Sequence, residues 1–499
     1  MTEAKRYHPL NILFDLGSLV KNSFFFFLFL FVIKYGSKSH FIKYGRIAFL
    51  LVFVISIVYF VMRWLTHKYK LDDTSFHIYK GIFTKSKQTI PFSKIQNVNR
   101  RTSLFHRIFQ VTSLRFETGM AGDDATIDFE VISRIEADRM EDHVTNPNEI
   151  GSSDEEKESV SPIIHTETEK SKRVIHFKPT TKDTLKASFT SFSFLLLIPI
   201  ILSIYGKIND IFHVEKEAEG IFSSIIHSWW VITLILIIFL IVSIAFGIIR
   251  TFIKYGKYEI SSDTDRIYIV KGVIDETSFS ISKERVQGIE ITQSIMKRIL
   301  GLAEVKLISA GNLSSEEEKL EINSLYPFLP VRHAYEMISE ILPSYEVTKK
   351  MSCLPKLSLW VRMLKPSWIW IIATAVLFYF KPTIFGVEQA WWIISAILLI
   401  IIGGIRLLSF FFTRYTINQQ FIQFKTGSFT TTLFLSKRDK VIEVSVTRGI
   451  FQKLLGLASV ETVNRAKPVH HAKLADVPVE LAVSFYKWYI GRRNEIEVE

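Results

Sequence analysis

The sequence of 499 residues predicts a membrane protein of mixed α and β structure, built from three repeats of a two-helix transmembrane hairpin followed by a β-rich domain with a C-terminal helix. Two observations lead to this fold class. Long apolar runs occur in pairs, and each pair is followed by residues that alternate between apolar and polar, as half-buried strands do. In addition, one short stretch of sequence recurs once after each pair.

Six apolar runs are predicted to span the membrane, since a helix needs about 20 apolar residues to cross about 30 Å of hydrocarbon and flanking residues can complete a shorter run. The first run contains Lys21 and the fifth ends just before Lys381, so these two runs could instead be interfacial segments. We predict that both span, because their aromatic residues would otherwise form a large exposed apolar surface. The six runs are 16–33, 47–62, 189–205, 229–249, 366–380 and 391–405.

The recurring stretch reads KRILGLAEV at 297–305, QKLLGLASV at 452–460 and, less similarly, HRIFQVTSL at 106–114. Three glycines precede the stretch at a common spacing, Gly81, Gly272 and Gly427, and we predict that each one forms a turn between strands. Such a common register across three segments indicates internal repeats.

Each copy of the stretch is predicted to be a short helix that leads into a strand. Gly301 and Gly456 stand where the chain leaves this helix, and there we predict a positive φ. The first repeat has Gln110 at this position, so it should have a strained or altered turn.

The repeats predict eight segments. Residues 145–180 are expected to be a disordered linker, because they are acidic and poor in aromatic residues. The segments are hairpin 1 (16–65), domain 1 (66–144), the linker (145–180), hairpin 2 (185–252), domain 2 (255–345), a connector (346–364), hairpin 3 (365–412) and domain 3 (413–492).

The positions of Lys and Arg predict that the three domains and both termini are cytoplasmic. Basic residues flank the hairpins on the side of the domains, whereas the loop between the third and fourth runs carries Asp210, Glu215, Glu217 and Glu219. The first hairpin loop disagrees, with four basic residues: Lys34, Lys38, Lys43 and Arg46. We give it less weight because an even number of spans between domains places all three on one side.

The sequence predicts neither an enzyme nor a metal or cofactor site. It has no motif typical of a hydrolase, a nucleotide-binding loop or a zinc protease. The single Cys353 has no second cysteine to pair with, and the adjacent His470 and His471 are interpreted as residues of a surface turn. The net charge of +12 is explained by Lys and Arg beside the spans, so we predict no nucleic-acid partner.

The hairpin, the KIQ of residues 94–96, the RVQ of 285–287 and the LGLA of the short stretch together resemble the bacterial pleckstrin-homology-like (PH-like) membrane proteins of the YdbT type. The first repeat departs from this pattern at 110–113, and the third has Ile442 in place of the Gln. The resemblance implies that each domain is a PH-like split β-barrel with a C-terminal helix, in a bacterial cytoplasmic membrane. It implies no catalytic chemistry.

Three functions are open on this basis. We favour a membrane scaffold whose domains bind a protein partner, such as a smaller single-unit relative, in envelope maintenance or in tolerance to membrane-active antimicrobial compounds. The link to the envelope is implied by the resemblance. The alternatives are a sensor of anionic membrane lipids and a transporter built from repeats, although few polar residues occur in the spans. The basic residues that could contact lipid or a partner are Lys94, Lys283, Arg285, Lys437, Arg438 and Lys440.

Overall fold

The computed structural model describes residues 4–37, 39–82, 84–118, 126–145, 173–190, 229–309, 324–382, 389–466 and 468–491. Most of the predicted linker (145–180) and of the predicted third span (189–205) lies outside the described residues, as does the loop that follows this span. These predictions remain untested.

The elements recur in the same order in each repeat. The first contains β1 (Lys5–Arg6), α1 (Leu10–Phe27), α2 (His40–Thr66), β2 (Lys68–Leu71), β3 (Ser75–Lys80), β4 (Ser86–Pro91), β5 (Ile95–Thr102), α3 (Leu104–Ile108), β6 (Val111–Thr118), β7 (Thr126–Ser133) and α4 (Arg134–Thr145). The second contains β8 (Val174–Phe177), α5 (Thr181–Thr190), α6 (Trp229–Tyr255), β9 (Glu259–Ser262), β10 (Arg266–Lys271), β11 (Glu276–Ser282), β12 (Val286–Gln293), α7 (Ile295–Ile299), β13 (Leu302–Ser309), β14 (Ser324–Pro330) and α8 (Val331–Ile341). The third contains β15 (Ser352–Cys353), α9 (Lys356–Leu364), α10 (Trp368–Phe380), α11 (Ala390–Phe412), β16 (Arg414–Ile417), β17 (Phe421–Gly427), β18 (Thr431–Lys437), β19 (Val441–Thr447), α12 (Ile450–Leu454), β20 (Leu457–Asn464), β21 (His470–Pro478) and α13 (Val479–Ile490).

Four stretches of helix in the described part of the chain are long and apolar enough to cross a membrane: Leu10–Ile33, His40–Thr66, Lys356–Phe380 and Ala390–Phe412. In the first of them α1 continues as a π-helix, and in the third α9 and α10 follow one another with a short break. Helix α6 covers the predicted fourth span. The segment predicted as a connector contains β15 and α9.

Arg46 in the first hairpin has a local structural role. Its guanidinium donates hydrogen bonds to the carbonyl oxygens of Leu30, Lys34 and Tyr35, at 2.9, 2.6 and 3.0 Å. Carbonyl groups at the C-terminal end of a helix have no partner within the helix and carry partial negative charge. One of the four basic residues that conflict with the predicted orientation is therefore explained by helix capping.

The turn glycines of the three repeats have a backbone conformation that L residues rarely adopt, with φ of +111° at Gly81, +95° at Gly272 and +120° at Gly427. A Cβ atom at any of them would lie 1.9–2.1 Å from a carbonyl oxygen across the turn. Each glycine therefore permits a tight hairpin that ends in β4, β11 or β18, which we name the donor strands.

The short helices begin with different caps. Ser103 and Ser294 accept hydrogen bonds at 3.4 Å from the third residue of the helix, and in the third repeat the Gln452 side chain accepts the N–H of Gly449 at 2.9 Å. All three leave the helix with positive φ: +55° at Gln110 and +67° at Gly301 and Gly456. The first repeat thus keeps this turn without glycine, at a cost in backbone strain.

The chain divides into two compact units, Met1–Val174 with Arg266–Ser282, and Ile175–Asp265 with Lys283–Glu499. Strands of the second repeat occur in both units. The described strands form open antiparallel sheets, and none of these sheets closes into a barrel.

In the first unit, one sheet has the order β1-β2-β3-β4 and another contains β7-β6-β5-β11-β10. Strand β11 pairs with β5 of the first repeat, with Phe279 opposite Asn99. The core between these sheets includes Phe76, Phe116 and Phe129, all at most 1 % exposed.

In the second unit, one sheet has the order β14-β13-β12-β18-β17-β16-β15 and another has the order β19-β20-β21. Strand β18 pairs with β12 of the second repeat, with Phe434 opposite Glu290. We name β5, β12 and β19 the acceptor strands, because β5 and β12 each pair with the donor strand of the following repeat.

Candidate functional site

A basic cleft of about 680 Å³ lies in the second unit, beside the pairing of β12 with β18. Its cations come from the single-turn 3₁₀ helices Lys283–Arg285 and Arg438–Lys440 and from the end of β18. Because β12 and β18 are neighbours, these segments meet although they are distant in sequence. The cleft brings together four of the six predicted basic residues: Lys283, Arg285, Lys437 and Lys440.

Two amino groups in the cleft, those of Lys283 and Lys437, are partly desolvated. Burial lowers the pKa of Lys283, although the nearby charges of Asp263 and Asp265 act to raise it. Burial also lowers the pKa of Lys437. The Lys437 ammonium lies 4.9 Å from the centre of the Tyr345 ring. An anion in the cleft would offset this loss of hydration and stabilise the charged form of both lysines.

Arg285 differs from Lys283 and Lys440 in the contacts of its charged group. Lys283 donates to the Asp263 carbonyl oxygen at 2.6 Å, and Lys440 donates to that of Glu284 at 3.3 Å and lies 3.7 Å from the Asp439 carboxylate. The described residues supply the Arg285 guanidinium with neither a hydrogen bond nor an ion pair, whereas its carbonyl oxygen accepts a hydrogen bond from the Gln287 side chain at 3.2 Å. A guanidinium with unused donors suits a carboxylate or phosphate ligand.

Two of the six predicted residues lie outside the cleft. Lys94 is exposed in the first unit, in a 3₁₀ helix, Phe92–Lys94, with no other basic residue. The Arg438 guanidinium lies 5.7 Å from the ring centre of Trp488, in the C-terminal helix α13. The sequence pattern did not identify Tyr345, which lies beyond α8 and is 2 % exposed.

The three short helices each present an exposed apolar surface. Phe105 is 68 % exposed, Ile299 73 % and Leu454 76 %. Two of these helices lie beside apolar helices: the His106 ring is 4.5 Å from that of Phe14 in α1, and the Arg298 guanidinium is 4.2 Å from the ring centre of Phe412, where α11 ends. Such a surface can contact lipid or another protein.

A buried cluster of charges supports the third repeat. Asp476 is 1 % exposed and has φ of +63°, and its carboxylate accepts hydrogen bonds from Arg362 at 3.2 Å, Lys365 at 3.1 Å and Gln452 at 2.6 Å. These partners lie in or just after α9 and in α12, so the cluster joins α9 to the short helix α12. The sequence pattern had not indicated it, because the partners are far apart in the chain.

The histidine interpretation is wrong in one respect. His470 and His471 begin strand β21 and do not form a surface turn, because residues 470–478 pair with β20. Their side chains reach different carboxylates, Glu290 at 2.8 Å for His470 and Glu461 at 3.0 Å for His471. Throughout the described residues, no group of three or more His, Cys, Asp or Glu side chains could hold a metal ion.

Arg406, which directly follows the last apolar run and lies within α11, also caps a helix. Its guanidinium donates to the carbonyl oxygens of Met363 and Lys365, at 3.0 and 2.7 Å, where α9 ends. Carbonyl groups at this break would otherwise lack donors. This contact gives the charge a structural role.

Comparison with known proteins extends the similarity over almost the whole chain. The chain is 26 % identical over 510 aligned residues to the UPF0699 transmembrane protein YdbT of Bacillus subtilis (strain 168), covering 98 % of each protein. No solved structure matches the chain. The family model described as bacterial PH domain matches three times, at residues 22–148, 200–343 and 370–493, so the protein belongs to the bacterial PH domain family and carries three copies of its unit.

Proposed function

We propose that the protein is a non-enzymatic membrane scaffold whose three PH-like domains lie in the cytoplasm and bind a protein partner. The observation that carries this proposal is the pairing of β11 with β5 and of β18 with β12. Within the chain, the edges of the PH-like units already bind other polypeptide segments through strand addition, which is a general mode of peptide recognition. The partner could be a smaller single-unit relative.

The cytoplasmic location of the domains is supported by the Lys and Arg residues that flank the hairpins, and by the role of Arg46 as a helix cap. A topology reporter inserted within 145–173, and another at the C terminus, should both give a cytoplasmic response. An external response from either one contradicts the proposed orientation.

The scaffold proposal predicts a stable protein complex. Tagged protein purified from its native membranes in mild detergent should retain a second polypeptide at a near-stoichiometric ratio, whereas lipids should be retained in the proportions of the bulk membrane. Retention of one lipid class without any protein partner contradicts the scaffold proposal. The physiological process that we associate with the scaffold is envelope maintenance or tolerance to membrane-active antimicrobial compounds. This association is tested by exposing a deletion strain to such compounds.

The basic cleft supports a second candidate function, binding of an anionic lipid headgroup. Arg285 and two partly desolvated lysines point to a carboxylate or phosphate ligand. Vesicle-reconstituted protein with Lys283→Gln and Arg285→Gln should lose any enrichment of anionic lipid that wild-type protein shows, while Lys94→Gln, outside the cleft, should not. Equal enrichment in all three proteins excludes the cleft as a headgroup site.

A further inference from the structure

The acceptor strand of the third repeat lacks the neighbour that the other two have. In β5 and β12, four and five residues are buried, whereas in β19 only Val441 is buried. Strand β20 pairs with one side of β19, and within the described part of the chain no strand pairs with the other side. Val446, near the end of β19, is 41 % exposed.

The donor strand of the first repeat is also at the end of its sheet, but its residues are different. Lys87 and Gln88 stand where β18 has Leu433 and Phe434, at the same spacing after the turn glycine. Lysine on an edge strand opposes the addition of another strand, and Pro91, which ends β4, cannot donate to one. Strand β4 therefore has the features of a protected edge.

Strand β19 carries neither lysine nor proline, although Glu443 is exposed on it and the Tyr489 hydroxyl of α13 donates to the Ile442 carbonyl oxygen at its start. From Val444 to Thr447 no strand of the described residues lies along this edge. The two covered junctions show what such an edge binds. Phe279 and Phe434 lie opposite Asn99 and Glu290 in the same relative register, and are 1 % and 3 % exposed. A Cβ on Gly288 of β12 would lie 3.0 Å from the Phe434 ring, so this junction is tightly packed.

We infer that β19 is the docking site for the donor strand of a PH-like unit on another polypeptide, and that this strand has Phe or another large apolar residue opposite Ser445. This inference rests on the proposed scaffold function and names its binding surface. The same register that joins β5 to β11 and β12 to β18 places Ser445 opposite the residue seven positions after the partner's turn glycine. A second copy of this chain is a poor match, because its β4 presents Gln88 there.

The inference can be tested with two differently tagged copies of the full chain. The donor copy carries Lys87→Leu and Gln88→Phe, which give β4 the residues of β18, and a proline in β19 that prevents it from acting as an acceptor. Consecutive residues of a strand direct their N–H groups to opposite sides of the strand. One of the two variants Ser445→Pro and Val446→Pro therefore removes an N–H group that points away from β20 and leaves the pairing with β20 intact, whereas the other disrupts this pairing. The variant that keeps wild-type thermal unfolding is used.

Wild-type protein, as the acceptor, should co-purify with the redesigned donor about tenfold more than with a donor that keeps the native β4. The proline in β19 of the acceptor should abolish this gain. The inference is overturned if the redesigned donor is not captured, if capture survives the proline, or if native β4 is captured equally well, which would identify a second copy as the occupant. Failure here leaves the scaffold proposal standing as long as another polypeptide is still retained from native membranes.

Discussion

Strands β12 and β19 occupy equivalent positions in their repeats but differ in what covers them. Each follows a 3₁₀ turn with basic residues, and each has its own repeat's next strand on one side. Strand β18 covers the other side of β12, and five of the eight residues of β12 are buried, against one of seven in β19. The difference shows that a repeat's burial pattern depends on its neighbour as well as on its own sequence.

The largest predicted effect separates a covered donor strand from an exposed one. Phe434→Ala should lower the free energy of unfolding by about 3–5 kcal/mol, because a buried aromatic ring leaves a cavity. The equivalent change at the protected edge, Gln88→Ala, should alter it by less than about 0.5 kcal/mol. Thermal unfolding of both variants in the same detergent measures the contrast, and similar losses would mean that β18 is not held by the junction.

The second prediction uses the turn glycines. Gly427→Ala and Gly81→Ala should each cost about 2 kcal/mol, because the new Cβ would meet a carbonyl oxygen at 2.0 or 1.9 Å and the backbone must shift. Only Gly427→Ala should also weaken a junction, since its hairpin carries β18. Amide hydrogen exchange should become faster in β12 of Gly427→Ala, and remain unchanged in β5 of Gly81→Ala; faster exchange in both strands would contradict the assignment of the two edges.

The third and smallest effect concerns the exit from the short helix. Gly301→Val and Gly456→Val should each cost about 1 kcal/mol or more, because valine is strained at φ of +67° although no atom lies within 4 Å of the new Cβ. Gln110→Gly should leave the first repeat unchanged or more stable. The measurement is the unfolding midpoint of each variant, and full tolerance of valine at both positions would refute the backbone explanation.

The sequence was sufficient to predict the three repeats and the apolar helices of the first and third hairpins, because both depend on local features. Apolar runs are contiguous, and the spacing from Gly272 to Val286 is readable without a structure. The exchange of donor strands between repeats was not predictable, since alternation of apolar and polar residues indicates which face is buried but not which strand lies alongside.

The same reason explains what the sequence could and could not say about the site. Lys283 and Lys440 were identifiable as basic residues that precede strands, but the cleft that they share exists only because β18 pairs with β12. The carboxylate of Asp476 likewise binds Arg362, which is far away in sequence. Contacts of this kind depend on the tertiary arrangement, and no local pattern encodes them.

The most direct measurement places a photo-cross-linking amino acid at Val446 of the full-length protein in its native membranes, with a matched probe at Lys87. We predict that the probe on β19 forms an adduct whose cross-linked peptide comes from the donor strand of a PH-like unit in a different polypeptide, and that the probe on β4 forms none. Adducts confined to lipid, adducts with this chain's own β4, or the same protein adduct from both probes would contradict the account.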